Sequence, residues 1–373
     1  MDWHADFAYS VRRQDRPMDG STLINLLRDR TGMLLTTPTV FRLYRGPIDA
    51  AVTASGGRLD LMVLDCREST KTLETVERVC ARMIDGGQER TSVLIAVGGG
   101  VCIDIATMSA SLFKRGIEHV RIPTTLVGQV DAGIGVKAAV NFVGRKSAIG
   151  CFHPPQEVLI DPAFLATLPI GELRAGLGEV VKIAVVEDAS LFEMLADVGT
   201  RLLDSRFQSP DEGWRVIHLA ALRMLQALAP NLFENQTYQR SVDAGHTFSP
   251  RLEAAAGFAL RHGEAVAVDI AFSATIAVEL GMLAPDDRDA IVDLLQAFGL
   301  PLDSPHLDLA STQASVIDAV HHRGGWLNLP LPRKIGEVDF LLSADDLPPP
   351  LLKACLDQHR RMLRRRHPSS VQG

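Results

Sequence analysis

An α/β, Rossmann-like N-terminal domain followed by a mainly α-helical domain is the fold class that the sequence predicts. Three observations predict it. Residues 92–122 run strand, glycine turn, helix, strand. From Gly171 onward the hydrophobic periodicity becomes almost wholly helical. Hydrophobic residues make up 46% of 373, enough to bury two cores rather than leave a disordered chain.

Residues 61–64 read as a short strand. Over 71–84, Leu73, Val76, Cys80 and Met83 recur at helical spacing, and Gly86-Gly87 stops the run. Ser92 to Val97, SVLIAV, is a continuous apolar run of strand length. Gly98-Gly99-Gly100 follows, residues 104–113 read as a helix, and 119–122 form another short strand before Pro123. Strands joined in this order make a parallel sheet with crossover helices. Residues 128–150 are glycine-rich with valine and isoleucine between, and read as strands and tight loops. Pro154-Pro155 and Pro162 then punctuate the chain. The boundary falls near Leu168, giving domains 1–168 and 169–373. The longest apolar stretch, 265–283, contains Asp269 and Glu279 and reads as a buried helix rather than a membrane span. After Pro348-Pro349-Pro350 a helix ends in RRMLRRRH, and arginines suit a solvated helix C-terminus.

The charge balance excludes some functions. A net charge of −7 and a pI near 5.9 leave no strongly basic domain for nucleic acid. Cys66, Cys80, Cys102, Cys151 and Cys355 contain no CxxC pair and are odd in number, which fits reduced thiols in the cytoplasm. The N-terminal MDWHADFAYSVRRQDRP has no apolar core of the kind a secretory signal needs.

Several residues carry two readings. The glycine run lacks the GxGxxG spacing, since position 103 is Ile. It is either a tight turn that lets helix and sheet pack closely, or a cradle of backbone N–H groups for a cofactor phosphate. Asp104 is a helix N-terminal charge or a ribose contact, and the first reading is preferred. Glu179 and Lys182 are three apart and share a helix face; they form a surface ion pair or, given Val180, Val181, Ile183 and Ala184 around them, point into a site. His246 and His262 are 16 apart, which is no compact metal signature. Each is either a hydrogen-bonded core or surface residue or, only in combination with Glu179, part of the donor set of an open divalent-metal site. Lys137, Lys146 and Arg115 lie in or beside glycine-rich loops, either solvated or meeting phosphate oxygens. Asp131 binds substrate hydroxyls or ends a strand.

GGGVCIDIA, RIPTTLVGQVDAGIGVKAAVNF, GRKSAIG, FLATLP, GLGEVVK, GHTFSPRLE and HGEAVAVD, in this order from about Val63 to Gly336, resemble the sugar phosphate cyclases, the dehydroquinate synthase-like enzymes. The resemblance implies a nucleotide-binding α/β domain, a helical domain, an active site in the cleft between them, and a homodimer. It makes Glu179, His246 and His262 the ligands of Zn2+ or Co2+. Lys182, Asp131, Lys137 and Lys146 become catalytic contacts. Arg115, Asp243, Asn141 and His322 become substrate contacts, Arg115 reaching the phosphate across the dimer. Glu68 and Lys71 match a cofactor-binding ExxK, joined by Gly99, Gly100, Asp104, Thr124, Thr125, Phe164 and Thr167 around NAD+.

The departures from dehydroquinate synthases point to another substrate. DAGHTFSPRLE stands where those enzymes resemble NLGHTFGHAIE, so Asp243 replaces an asparagine and Pro250 a histidine. Ser147 stands where an asparagine is usual, and MLQALAPNLFE replaces a stretch that holds a lysine. Losing basic and amide donors argues against a carboxylated substrate. MLxxLAPNLxE with GHTFSP resembles the branch that cyclises sedoheptulose 7-phosphate, most of all the 2-epi-5-epi-valiolone synthases. The 2-epi-valiolone and desmethyl-4-deoxygadusol synthases act on the same substrate, and His321 and His322 are either product-selecting residues or a surface loop. The chemistry implied is a redox-neutral cycle of transient oxidation, phosphate elimination, reduction and intramolecular aldol closure. The rivals are a 3-dehydroquinate synthase, a metal-dependent polyol dehydrogenase that accumulates NADH, and a silent scaffold.

Overall fold

The computed structural model describes residues 8–209, 211–257 and 259–366. The first seven residues read for a secretory signal, and His367 of the basic tail, lie outside them. Contacts divide the chain between Thr167 and Leu168 into two compact units.

The first unit runs β1 (Ser10–Arg13), α1 (Gly20–Leu27), β2 (Gly32–Thr36), α2 (Pro38–Ala54), β3 (Leu59–Val63), α3 (Leu73–Asp85), β4 (Val93–Gly98), α4 (Gly100–Leu112), β5 (Glu118–Pro123), β6 (Lys137–Phe142), β7 (Arg145–Phe152) and β8 (Glu157–Ile160). Six strands form one sheet in the order β1-β8-β5-β4-β2-β3, and every pairing in it is parallel. β4 is apolar throughout because it is covered on both faces. Val93, Ile95 and Val97 join the α1 and α2 side, with Leu23, Leu27 and Ile48. Leu94 and Ala96 join the α3 and α4 side, with Val79, Met83 and Ile105. From β2 the chain crosses to β3 on one side, then returns through β4 to the other. The strand order therefore reverses between β2 and β4, the point where α/β sheets hold ligands beyond their strand ends. The glycine run leaves β4 there.

Residues 128–150 are not only strands and tight loops. Gly128–Ala132 is a π-helical turn, and β6 and β7 form a separate antiparallel hairpin. Such turns favour functional positions because they interrupt the regular hydrogen-bond ladder.

The second unit runs α5 (Ile170–Glu187), α6 (Ala189–Val198), α7 (Arg201–Asp204), α8 (Glu212–Leu228), α9 (Ser249–Ala255), α10 (His262–Glu279), α11 (Pro285–Ala297), α12 (Leu309–His322), a hairpin of β9 (Leu329–Lys334) and β10 (Glu337–Leu341), and α13 (Pro349–Arg366). α10 is the central helix. Its residues from Ala265 to Ala277 are buried on every side, Asp269 included, which is why it is apolar all round. Among the described residues no helix is long and apolar enough to cross a membrane.

Candidate active site

Two glycines set the geometry of the second unit's site. α5 and α10 cross with Gly178 and Gly263 back to back. A Cβ at Gly178 would lie 2.1 Å from the Gly263 carbonyl oxygen, and one at Gly263 only 1.8 Å from that of Ala175. Each glycine adjoins a predicted ligand, Gly178 before Glu179 and Gly263 after His262. The backbone approach thus brings Glu179 and His262 face to face.

Glu179, His246 and His262 each offer a ligand atom, and the three atoms lie within 4.8 Å of one another. Glu179 is wholly buried. Its Oε1 is 3.0 Å from His262 Nε2 and its Oε2 is 2.7 Å from Lys182 Nζ. Glu179 and Lys182 are therefore not a surface pair. The two Nε2 atoms face each other at 3.3 Å. His246 Nδ1 donates to the Ala244 carbonyl at 3.0 Å, and His262 Nδ1 donates to Glu253 at 2.9 Å. Both rings turn Nε2 to the same point, and both keep an open edge, 29% and 36% of the side chain exposed.

The charges agree. Burial pushes the Glu179 carboxyl up, but Lys182 and His262 outweigh it and hold the group well below the usual carboxylate range. Burial and then the Lys182 charge push His246 down to about 4. Burial opposes charge on His262 too, but hydrogen bonds to Glu179 and Glu253 raise it to about 9.

These residues fit a divalent ion. Neither Glu179 oxygen takes a well-aligned hydrogen bond, although both are buried. Lys182 Nζ, 2.7 Å from Oε2, supplies one cation, and Oε1, facing the imidazoles, is left for a second. One carboxylate and two imidazoles are the donor set of an open zinc-type site, with a position left for substrate.

The first unit holds the cofactor candidates. A Cβ at Gly98 would meet Cys102 Cβ at 2.6 Å, so that glycine serves close packing. Gly99 caps α4 and Gly100 begins it, and no side chain caps the N–H groups of this first turn. A Cβ at Gly99 would press Thr125 at 3.0 Å. The Thr124 N–H donates to the Gly98 carbonyl at 2.9 Å, tying the end of β5 to this turn. Asp104 sits a full turn inside α4 and is not a helix N-terminal charge. It pairs with buried Lys71 at 2.5 Å, while burial raises its carboxyl above the ordinary value. Phe164 packs edge-on against Tyr44 in the core, and its carbonyl accepts from Thr167 Oγ1. Its part is to support the Thr167 turn.

Asn141 joins this cluster, where the sequence reading had placed it on the substrate. Its Nδ2 donates to Glu68 Oε1 at 3.0 Å and to the Glu68 carbonyl at 2.9 Å. Its Oδ1 accepts from the Ser147 N–H, and Ser147 Oγ accepts from Lys71 Nζ at 3.4 Å. Ser147 is thus also committed to ExxK, in a left-handed conformation (φ 50°) that asparagine adopts more easily. Asn141→Ala should weaken NAD+ binding by about tenfold, the worth of one charge-assisted hydrogen bond of ~1.5 kcal/mol. Calorimetric titration with NAD+ checks this, and unchanged affinity would remove the role.

Comparison with known proteins places the chain. The family model for the 3-dehydroquinate synthase N-terminal domain matches residues 61–175, and that for the C-terminal domain matches 176–319. The chain belongs to the 3-dehydroquinate synthase family. A 2-epi-5-epi-valiolone synthase of Streptomyces glaucescens is 42% identical over 86% of this chain and 82% of its own length. That of Streptomyces hygroscopicus subsp. jinggangensis is 41% identical over 83% and 76%. The solved structure of ValA, the 2-epi-5-epi-valiolone synthase of that strain with NAD+ and Zn2+ bound, superposes with a TM-score of 0.91. It is 38% identical and covers 97% of this chain and 99% of its own.

Two of the chain's departures from dehydroquinate synthases, the APNLFE stretch and Asp243, are linked within the second unit. Asn231, in APNLFE, accepts from the Gln236 N–H and donates to the Thr237 carbonyl, folding that loop. Glu234 of the same stretch pairs with Arg240, and Arg240 pairs with Asp243. The changes at 231–234 and at 243 therefore come as a set. His321 and His322 lie exposed in the last turn of α12. Their neighbour Arg323 is the buried one. It donates to Thr247 Oγ1 at 3.2 Å and to the carbonyls of Leu327 and Asn328, tying the loop after His246 to the segment before β9.

Asp131 lies half-buried in the π turn, Lys137 starts β6 on the exposed side, and Lys146 is the exposed second residue of β7. Arg121, fully buried in β5, donates to the carbonyls of Gly133 and Gly135. It braces the loop between Asp131 and Lys137 from beneath. Arg115 is exposed beyond α4 with φ 70°. Sequence reasoning missed Arg121 and Arg323. An arginine in a strand or after a helix carries no mark of being inside.

Proposed function

We propose that this chain is a sugar phosphate cyclase that converts sedoheptulose 7-phosphate to 2-epi-5-epi-valiolone with release of phosphate. It works as an NAD- and metal-dependent lyase, a homodimer in the cytoplasm. The observation that carries the reading is the buried Glu179 carboxylate aimed at two converging imidazoles, in a chain about 40% identical to enzymes of that name. The five cysteines are free thiols, in keeping with a reducing compartment.

Bound NAD+ and Zn2+ or Co2+ supply a hydride acceptor and a Lewis acid, so that a substrate hydroxyl carbon is oxidised and the neighbouring C–H becomes acidic enough for phosphate to leave. Lys182, 1% exposed, holds an ammonium where substrate oxygen gains negative charge. Its value lies in charge, so it need not give up its proton. Asp131, Lys137 and Lys146 orient the hydroxyls and the phosphate. Arg115 meets the phosphate from the partner protomer. The leaving phosphate dianion is itself the base, and no protein base is assigned. Holding the opened chain in one conformation makes the final aldol closure effectively unimolecular. Asp243, held by Arg240, and His322 contact the substrate and set the product.

Incubation with sedoheptulose 7-phosphate, NAD+ and Zn2+ or Co2+ should release phosphate and yield 2-epi-5-epi-valiolone by NMR. Absorbance of NADH should not accumulate. Chelation should abolish phosphate release and added Zn2+ or Co2+ restore it. Bulk NADH formation would make the protein a polyol dehydrogenase. Another C7 cyclitol would keep the class and overturn the product.

A further inference from the structure

The two segments that carry the histidines hold each other through two buried carboxylates outside the donor set. Glu253, on α9 and 3% exposed, accepts from His262 Nδ1 at 2.9 Å. His262 is the first residue of α10. Asp269, two turns further along α10 and wholly buried, reaches the other way. Its Oδ2 accepts from the N–H groups of Thr247 at 3.0 Å, Phe248 at 2.6 Å and Ser249 at 2.9 Å. Its Oδ1 accepts from Ser273 Oγ at 3.0 Å. Those three amides directly follow His246 and open α9. So α10 grips the head of α9, and α9 grips the head of α10.

Each grip restricts a different freedom. Three successive amides on one carboxylate fix the backbone just past His246, so its Cα cannot drift. The Nδ1 hydrogen bond fixes the rotation and tautomer of the His262 ring and leaves Nε2 aimed at Glu179. His246 takes its own Nδ1 partner from a backbone carbonyl two residues back. Its ring therefore depends on the backbone that Asp269 holds. A buried carboxylate with no such partners would be costly, and here each has donors that place it.

We propose that Glu253 and Asp269 are positioning residues that form a reciprocal clasp, setting both imidazoles before a divalent ion arrives. The inference rests on the metal reading of Glu179, His246 and His262. Neither residue touches substrate in this role.

The test measures Zn2+ and Co2+ affinity of the parent, Glu253→Gln, Asp269→Asn and the double variant by competition with a chromophoric chelator. The metal-free proteins are first compared by circular dichroism and thermal unfolding. Glu253→Gln keeps shape and a hydrogen-bond acceptor but removes the charge. It should bind 10–100-fold more weakly and shift the visible absorption of bound Co2+, a signature that global stability does not move. Asp269→Asn should lose a comparable factor, and the double variant less than the product of the two, because one open side already frees both segments. Glu253→Gln with parent-like affinity and an unchanged Co2+ spectrum overturns the clasp. Asp269→Asn recovered only unfolded assigns Asp269 to the fold and withdraws its half, with Glu253→Gln deciding the other. A parent that binds neither ion overturns the metal reading itself, a result separate from failure of the clasp.

Discussion

Lys182→Met should slow phosphate release by about 10²–10³-fold, the loss expected for removing one preorganised charge from a developing oxyanion. The same change should make the metal-free protein less stable and the metal-loaded protein nearly normal. Lys182 is 1% exposed and its ammonium lies 2.7 Å from a Glu179 oxygen that is fully buried. Removing one partner of such a pair leaves an uncompensated buried charge and costs about 3–5 kcal/mol. A divalent ion on Glu179 supplies that missing charge. Methionine keeps the volume of the lysine stem, so packing loss does not confuse the result. Thermal unfolding with and without Zn2+, beside a phosphate-release assay, separates the two roles. Turnover near that of the parent would remove Lys182 from the chemistry. Equal instability in both metal states would remove the link to Glu179.

That lysine was legible in the sequence because GLGEVVKIAVV surrounds two charges with apolar residues on every helical face. The glycine run was legible for a similar reason: SVLIAV is too apolar and too short for anything but a covered strand, and a glycine turn at its end has few other uses. β1, by contrast, is SVRR, with three of its four residues exposed, and gains its strand only by pairing with β8, Ser10 opposite Glu157. No local pattern announces that. α1 and β2 are 8 and 5 residues long, which gives periodicity too few turns to declare itself, and the 17-residue α2 carries Pro47 inside it.

The site divides in the same way. Glu179, His246 and His262 were recognisable as residue types in motifs, but what brings two of them together is the glycine pair at 178 and 263, and glycine carries no chemical label. The resemblance puts Asn141 on the substrate and Ser147 among the departures around it. Their direction is decided by the register of β6 against β7 and by the bridge from Thr72 to Asn141, which turn both residues onto Glu68 and Lys71. Asp269 was visible only as a charge inside an apolar run. That pattern says buried, but which amides it meets is a tertiary fact.

The glycine pair leads to the second large expectation. Gly263→Ala should strongly destabilise the second unit and strip the metal, although alanine is the better helix former by about 1 kcal/mol. The added methyl would stand 1.8 Å from the Ala175 carbonyl oxygen, which belongs to a helix backbone and cannot rotate away. Reaching an ordinary 3.4 Å contact needs the helices to part by roughly 1.6 Å. Overpacking of a core costs about 1–3 kcal/mol where side chains can adjust, and the upper end applies where only backbone can move. For a unit of this size about 3 kcal/mol lowers Tm by roughly 6–12 °C. His262 directly precedes the substituted residue, so it would recede from Glu179 by a similar distance. Metal–ligand lengths tolerate about 0.2 Å; Zn2+ affinity should therefore fall more steeply than stability. Gly178→Ala, whose methyl meets the Gly263 carbonyl at 2.1 Å, should reproduce both effects from the opposite helix. Thermal unfolding and Zn2+ titration of the two variants measure this, and parent-like Zn2+ affinity in either would mean that the helix crossing does not set the distance between the ligands.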